Sequence, residues 1–298
     1  MTAFTLLGDV MVDVTAAVAG PIAAGSDTPA AISLQPGGSA ANTARWIAWS
    51  GRPSSLIGCI GDDTLGALAQ RALSRDGVTP LLAVQPGATT GTCVVIVDPT
   101  GERTMLPDGG ANALLTAAQL PAAAFAAPGH FHLSGYTLLR PATRAAGVAA
   151  CRRARQAGMS VSLDASSAAP IIEHPDAFDE ALGMVDLLIA NADEAAALTG
   201  AASAQSAIRE LADRVSTVVV KLGPSGAIGL VDGQVLAAPA TAKQVRDTTG
   251  AGDAFAAGLL CTWSQGTGLE QALARGNEVA AIAVNRVGAG PPASGGEE

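Results

Sequence analysis

Short apolar runs alternate with longer Ala- and Leu-rich stretches along most of the chain, and the two periods predict different elements. "SSLIGCIG", "HFHLSGY", "SVSLDAS", "VDLLIAN" and "TVVVKLG" are near-continuous apolar runs of strand length, the form of parallel strands covered on both faces. "FTLLGDVMVDV" predicts a further strand beginning at Phe4. Between the runs, "SAANTARWIAWSGR", "DTLGALAQRALSRDG", "ATRAAGVAACRRARQAG" and "SAIRELADRVS" predict helices, the second stopped by Gly77. This alternation predicts βαβ units around a parallel sheet. Two regions interrupt it, 14–37 and 91–108, and the second, "GTCVVIVDPTGERTMLPD", has the strand, turn and strand of a hairpin. Neither has a helix of its own, which predicts a small β-sheet extending from the main domain and able to close over a site as a lid; an ordinary surface hairpin fits the spacing equally well.

Near the end, "RDTTGAGDAFAAGLL" sets glycines directly before an Ala/Leu helix. The first N–H groups of a helix lack intrahelical partners and its dipole is positive there, so Gly250, Ala251 and Gly252 form a turn suited to an anion. Asp253 follows at once. A carboxylate there does not attract phosphate; in phosphoryl transfer its task is to accept or orient the attacking hydroxyl, and the helix dipole predicts that it stays ionised at neutral pH. Taken alone, the turn is explained as well by helix capping. Gly-Lys occurs nowhere, which removes a Walker-type loop, and no G-x-G-x-x-G follows the first strand, which weakens a dinucleotide reading.

Composition narrows the partners. The chain has 298 residues, enough for one large α/β domain with an insertion or for two ordinary domains. With 3% aromatic residues the core is aliphatic, and a formal charge of −9 argues against nucleic acid or an anionic membrane as partner. Cys59, Cys93, Cys151 and Cys261 form no C-x-x-C pair, as in reduced cytoplasmic proteins. Asp9 and Asp13 interrupt the apolar start, so no signal peptide is expected, and no apolar run reaches membrane-spanning length. A Gly/Pro/Ser tail follows Gly288. His130 and His132 share one face of a strand, but without an evident third ligand they read as packed polar rings, and Arg152, Arg153 and Arg155 read as a solvated helix face.

At the glycine turn the sequence resembles the PfkB, or ribokinase-like, carbohydrate kinases. "DTTGAGDAFAAGLL" is similar to that family's C-terminal signature and "GGSAANTARWIAWSGRPSSLIGCIGDDTLG" to its N-terminal one, with "NADE" and "AAIAVNRVGA" extending the resemblance over nearly the whole chain. It implies one domain, 1–298, of Rossmann-like α/β fold, a mostly parallel sheet flanked by helices with a small β-sheet lid from about 14–37 and 91–108. It further implies that Asp253 is the catalytic base and that Gly250, Ala251 and Gly252 form the anion hole. Asp13, Gly37, Gly38 and Asn42 match sugar-binding positions, and Arg103 in the lid is a candidate substrate contact. Lys221, Gly223, Gly226 and Asn277 lie where the nucleotide is bound. Asn191 and Glu194 match a motif that holds Mg²⁺ through water, and Asp247 and Thr249 positions that surround K⁺ in many relatives, with carbonyls from 284–289.

The resulting expectation is a cytoplasmic kinase using ATP and Mg²⁺, with K⁺ as a further expected ion, acting on a primary hydroxyl of a monosaccharide or sugar-like substrate. A nucleoside kinase of the same family is the alternative, with Phe125, Phe131 and Tyr136 as candidates to stack on a base; a non-catalytic sugar sensor is more remote. A homodimer through exposed lid edges is compatible with the pattern.

Overall fold

The computed structural model describes residues 1–293; the last five residues of the tail lie outside them. In chain order the first half forms β1 (Phe4–Leu7), β2 (Met11–Val18), β3 (Ala30–Gly37), α1 (Ser39–Trp49), β4 (Ser54–Gly61), α2 (Thr64–Arg75), β5 (Val78–Gln85), β6 (Gly91–Val97), β7 (Arg103–Asp108), β8 (His130–Ser134), α3 (Tyr136–Leu139) and α4 (Pro141–Gln156). The second half forms β9 (Ser160–Asp164), α5 (Ala168–Glu173), α6 (Asp179–Leu182), β10 (Leu187–Asn191), α7 (Ala192–Thr199), α8 (Ala204–Ala212), β11 (Thr217–Lys221), β12 (Ala227–Val231), β13 (Gln234–Ala238), α9 (Ala251–Trp263) and α10 (Leu269–Val284).

Nine strands make the main sheet in the order β13-β12-β11-β10-β9-β8-β1-β4-β5. From β5 to β11 all neighbours are parallel, and β12 and β13 close one edge antiparallel. Adjacent residues bury on opposite faces, Leu6 and Leu56 against α1 and α9 and Leu7 and Leu133 against α4, which is why these strands read as unbroken apolar runs. β5 and the β12–β13 hairpin escape the sequence pattern: β5 is an edge strand carrying Pro80, and the hairpin turns on Asp232 and Gly233, both at positive φ.

A second sheet of four strands has the order β3-β2-β6-β7, with β2 and β6 parallel and both outer pairs antiparallel. The strand expected to run unbroken from Phe4 is two strands in two sheets. The buried Asn112 side chain explains the break, since its Oδ1 accepts the Val10 N–H and its Nδ2 donates to the Val10 carbonyl, each at 2.9 Å. The backbone groups that would have continued the ladder are thereby satisfied, and β2 leaves for the small sheet. All four cysteines are buried free thiols, and among the described residues no helix is long and apolar enough to cross a membrane.

Candidate active site

Gly250 precedes α9 at φ 72°, and a methyl group on it would lie 2.7 Å from Ala289 Cα, so the turn excludes side chains on two grounds. The N–H groups of Gly250 and Gly252 make no hydrogen bond among the described residues, whereas that of Ala251 donates to the Thr248 carbonyl at 3.2 Å. Ala251 therefore shapes the turn without being a free donor.

Asp253, half-buried in the first turn of α9, meets the start of α1. Ser39 Oγ donates to its Oδ1 at 2.7 Å and Asn42 Nδ2 to its Oδ2 at 3.1 Å. Desolvation pushes its carboxyl up to about 7, against the two hydrogen bonds and the Lys221 charge. Burial thus opposes the charge that the helix dipole was expected to hold, and leaves the group partly protonated near neutral pH.

β1 and β8 are neighbours from which the chain moves off in opposite directions, and ligands bind such sheets in the crevice beyond the carboxyl ends at this point. Beyond β1, Asp9 accepts a two-pronged pair from Arg140, at 2.7 and 2.5 Å. A side chain at Gly38, which has φ 97°, would overlap the Asp9 carbonyl, and one at Gly37 would overlap the Asp13 carboxyl. The Gly37–Gly38 backbone thus approaches both acids closely. Desolvation alone drives the Asp13 carboxyl up to about 6. The Tyr136 phenol is raised mainly by burial, with Asp253, Asp164 and Asp9 adding to the rise.

The carboxyl ends of β9, β10 and β11 present Asp164, Asn191 and Lys221. Lys221 Nζ donates to Asp164 Oδ2 at 2.9 Å and would be 3.3 Å from a methyl on Gly252, so the ammonium borders the glycine turn. Burial would lower its pKa, but Asp164 and Glu194 hold it above the ordinary lysine value. Asn191 and Glu194 form a reciprocal cap on α7: Glu194 N–H donates to Asn191 Oδ1 at 2.8 Å, and the Glu194 carboxylate accepts the Asn191 N–H and Nδ2, both at 2.7 Å. Glu194 is buried, and burial followed by the charge of Asp164 pushes it up to about 7.

Other expected positions have different surroundings. Arg103, a candidate substrate contact, pairs with Asp247 at 2.5 Å. Asp247 also accepts the N–H groups of Thr249 and Gly288, each at 2.7 Å. Burial would raise its carboxyl, yet Arg103 and these two donors hold it below the usual range. Asn277 is buried with Nδ2 donating to the Ala238 and Pro239 carbonyls, tying α10 to β13. Gly223 is exposed at φ 56°, and Gly226 is packed at φ 90° against 238–240. Phe131 is fully buried and so does not stack on a ligand, and the half-buried Phe125 packs on it. His130 and His132 share one bridge, Ser162 Oγ at 2.7 Å from each, and burial lowers them to about 3 and about 4, so both are neutral.

Sequence reasoning missed Ser39, Asp164, and the Asp9–Arg140 pair. Ser39 sits inside the quoted "GGSAAN", and Asp164 ends a recognised strand, where position alone marks it.

The model of the pfkB family carbohydrate kinases matches residues 1–294. A fructokinase of Klebsiella pneumoniae is 33% identical, covering 76% of each chain. An ATP-dependent ribose-1-phosphate kinase of Halopiger xanaduensis is 34% identical over 85% of this chain and 81% of its own. Among solved structures, the aminoimidazole riboside kinase of Salmonella enterica, complexed with aminoimidazole riboside and an ATP analog, is 29% identical with a TM-score of 0.81 over 96% of this chain and 95% of that one.

Proposed function

The chain belongs to the pfkB family of carbohydrate kinases, phosphotransferases with an alcohol acceptor, and from that premise we propose that it transfers the γ-phosphoryl group of ATP to a primary hydroxyl of an uncharged monosaccharide or sugar-like substrate. The observation that carries the reading is the meeting of Asp253 with Ser39 and Asn42 where two helices begin. Asp253 takes the hydroxyl proton as that oxygen attacks phosphorus, while Ser39 and Asn42 fix the carboxylate. The free N–H groups of Gly250 and Gly252, with Lys221 beside them, oppose charge on the phosphoryl oxygens as the bond to the leaving oxygen breaks. Asp13, Gly37 and Gly38 hold the remaining acceptor hydroxyls, and the turn at Gly223 and Gly226, positioned by Asn277, borders the nucleotide.

The Asn191–Glu194 pair and Asp164 fit Mg²⁺ in donor chemistry, because Glu194 carries the strain of a neighbouring carboxylate that a divalent ion relieves. Mg²⁺ keeps most of its water and takes few protein ligands, so a few oxygen donors suffice. When bound, Mg²⁺ supplies neutralising charge to the triphosphate.

An uncharged acceptor follows from the electrostatics. Arg140, the cation beside Asp9, is cancelled by the two-pronged pair, and Asp13 repels a substrate phosphate or carboxylate. A nucleoside is the second reading, favoured by Tyr136, whose ring lies within electrostatic reach of Asp9 and Asp253. The small sheet closes as a lid, and its outer face joins a second copy in a homodimer. Buried free thiols suit a cytoplasmic setting.

An ATP-consumption assay over pentoses, hexoses, nucleosides, sugar acids and sugar phosphates tests the proposal. A neutral acceptor is expected to exceed every anionic one by about 100-fold or more in kcat/KM. A sugar phosphate as best acceptor defeats the electrostatic argument, and saturable sugar binding without turnover returns the sensor reading.

A further inference from the structure

We propose that Arg103 is a built-in monovalent cation for the segment that supports the glycine turn, so that this chain works without K⁺. Asp247 and two of the carbonyls expected to surround K⁺, those of Val284 and Ala289, already have protein donors. Asp247, whose side chain is 1% exposed, gives Oδ1 to Arg103 at 2.5 Å and to the Thr249 N–H at 2.7 Å, and Oδ2 to the Gly288 N–H at 2.7 Å. Val284 O accepts the N–H groups of both Arg246 and Asp247, at 2.7 and 3.2 Å, and Ala289 O accepts the Trp46 indole N–H at 2.9 Å. A weakly hydrated cation is held by several oxygens freed toward one point, and here the only carboxylate of the expected set and two of its carbonyls turn to protein donors instead. The charge that the buried Asp247 requires comes from the guanidinium.

The position of Arg103 gives the pair a second consequence. It stands on β7 of the small sheet, whose β2 strand carries Asp13, while Ala289 packs directly on Gly250. One ion pair thus ties the sheet that bears an acceptor-binding acid to the base of the anion turn. Arg103 acts through Asp247 and is a positioning residue.

Activity in a buffer whose only monovalent cation is tetramethylammonium, with and without K⁺ at matched ionic strength, tests the proposal on the full chain; this arm rests on the kinase reading. Wild-type kcat is expected to be the same in both. R103Q, which keeps hydrogen bonding without charge, is expected to lose about tenfold or more in kcat, and R103K to recover most of it. Calorimetric titration of the wild type with KCl, without substrate, is expected to give no saturable heat, and this arm holds even if no acceptor is turned over. Strong K⁺ activation of the wild type, saturable K⁺ binding to it, or an R103Q enzyme equal to the wild type each overturn the proposal.

Discussion

The Asp253 carboxyl sits where the start of α9 favours its charge and the surrounding protein disfavours it, and with a pKa pushed up to about 7 desolvation prevails. A base must be ionised to accept a proton, so kcat/KM is expected to rise with pH along a limb near 7. D253N is expected to abolish that limb and to cost about 10²- to 10⁴-fold in kcat, with acceptor affinity retained. The sign on stability is opposite. A folded-state pKa raised from 3.8 to about 7 means that the native chain holds a proton the unfolded chain has released, so stability falls as pH climbs from about 4 to 7. D253N removes that penalty, and its melting temperature at pH 8 is expected to be no lower than the wild type's; a large drop would make the lost activity a folding effect. Asp253, Asn42 and Asp13 could be named from the sequence because they lie in local motifs that the resemblance covers. Arg103 and Asp247 could be named singly but not as a pair, since each finds its partner 144 positions away and only the fold brings guanidinium to carboxylate.

Element boundaries followed local signals where the decisive groups were local. α2 begins after Asp63, whose Oδ1 accepts the Gly66 N–H at 2.7 Å, and α7 begins on the Asn191–Glu194 box. The break between β1 and β2 was illegible because the group that satisfies Val10 comes from Asn112. Asp63 shows how a cap also serves a neighbouring element. Its Oδ2 accepts the Thr90 N–H at 2.8 Å and its Oδ1 the Thr90 hydroxyl at 2.6 Å, just before β6 enters the small sheet. Burial would raise its carboxyl, but together these bonds hold it below the ordinary value, so its contribution is present at neutral pH and lost as pH falls. D63A is expected to cost about 1 to 2 kcal/mol in urea unfolding at pH 7. Because Thr90 shares the carboxyl, T90V and D63A are expected to be non-additive when combined; strict additivity would separate the cap from the sheet.

At the scale of the whole molecule, the parallel sheet was readable because burial on both faces leaves unbroken apolar runs, whereas the small sheet announced itself only by the lack of helices. Its two faces differ. Asp13 points to the crevice face, while Leu34, Val14, Val94 and Leu106 lie side by side in register on the other, and Ile32, Ala16 and Ile96 form the next row. Leu34 and Leu106 are 50% and 55% exposed, an apolar surface that a stable protein covers, and the edges β3 and β7 carry open backbone groups. A second copy of the chain related by a two-fold axis, as proposed above, would satisfy both needs, each contact occurring twice. Burying the exposed half of one leucine contributes about 0.8 to 1.6 kcal/mol, so L106K, counted in both copies, is expected to weaken the dimer by about 10- to 300-fold. Light scattering after gel filtration is expected to give a dimer for the wild type and a monomer for L106K at the same concentration. A monomeric wild type at the highest soluble concentration would mean that the outer face of the small sheet is left to solvent.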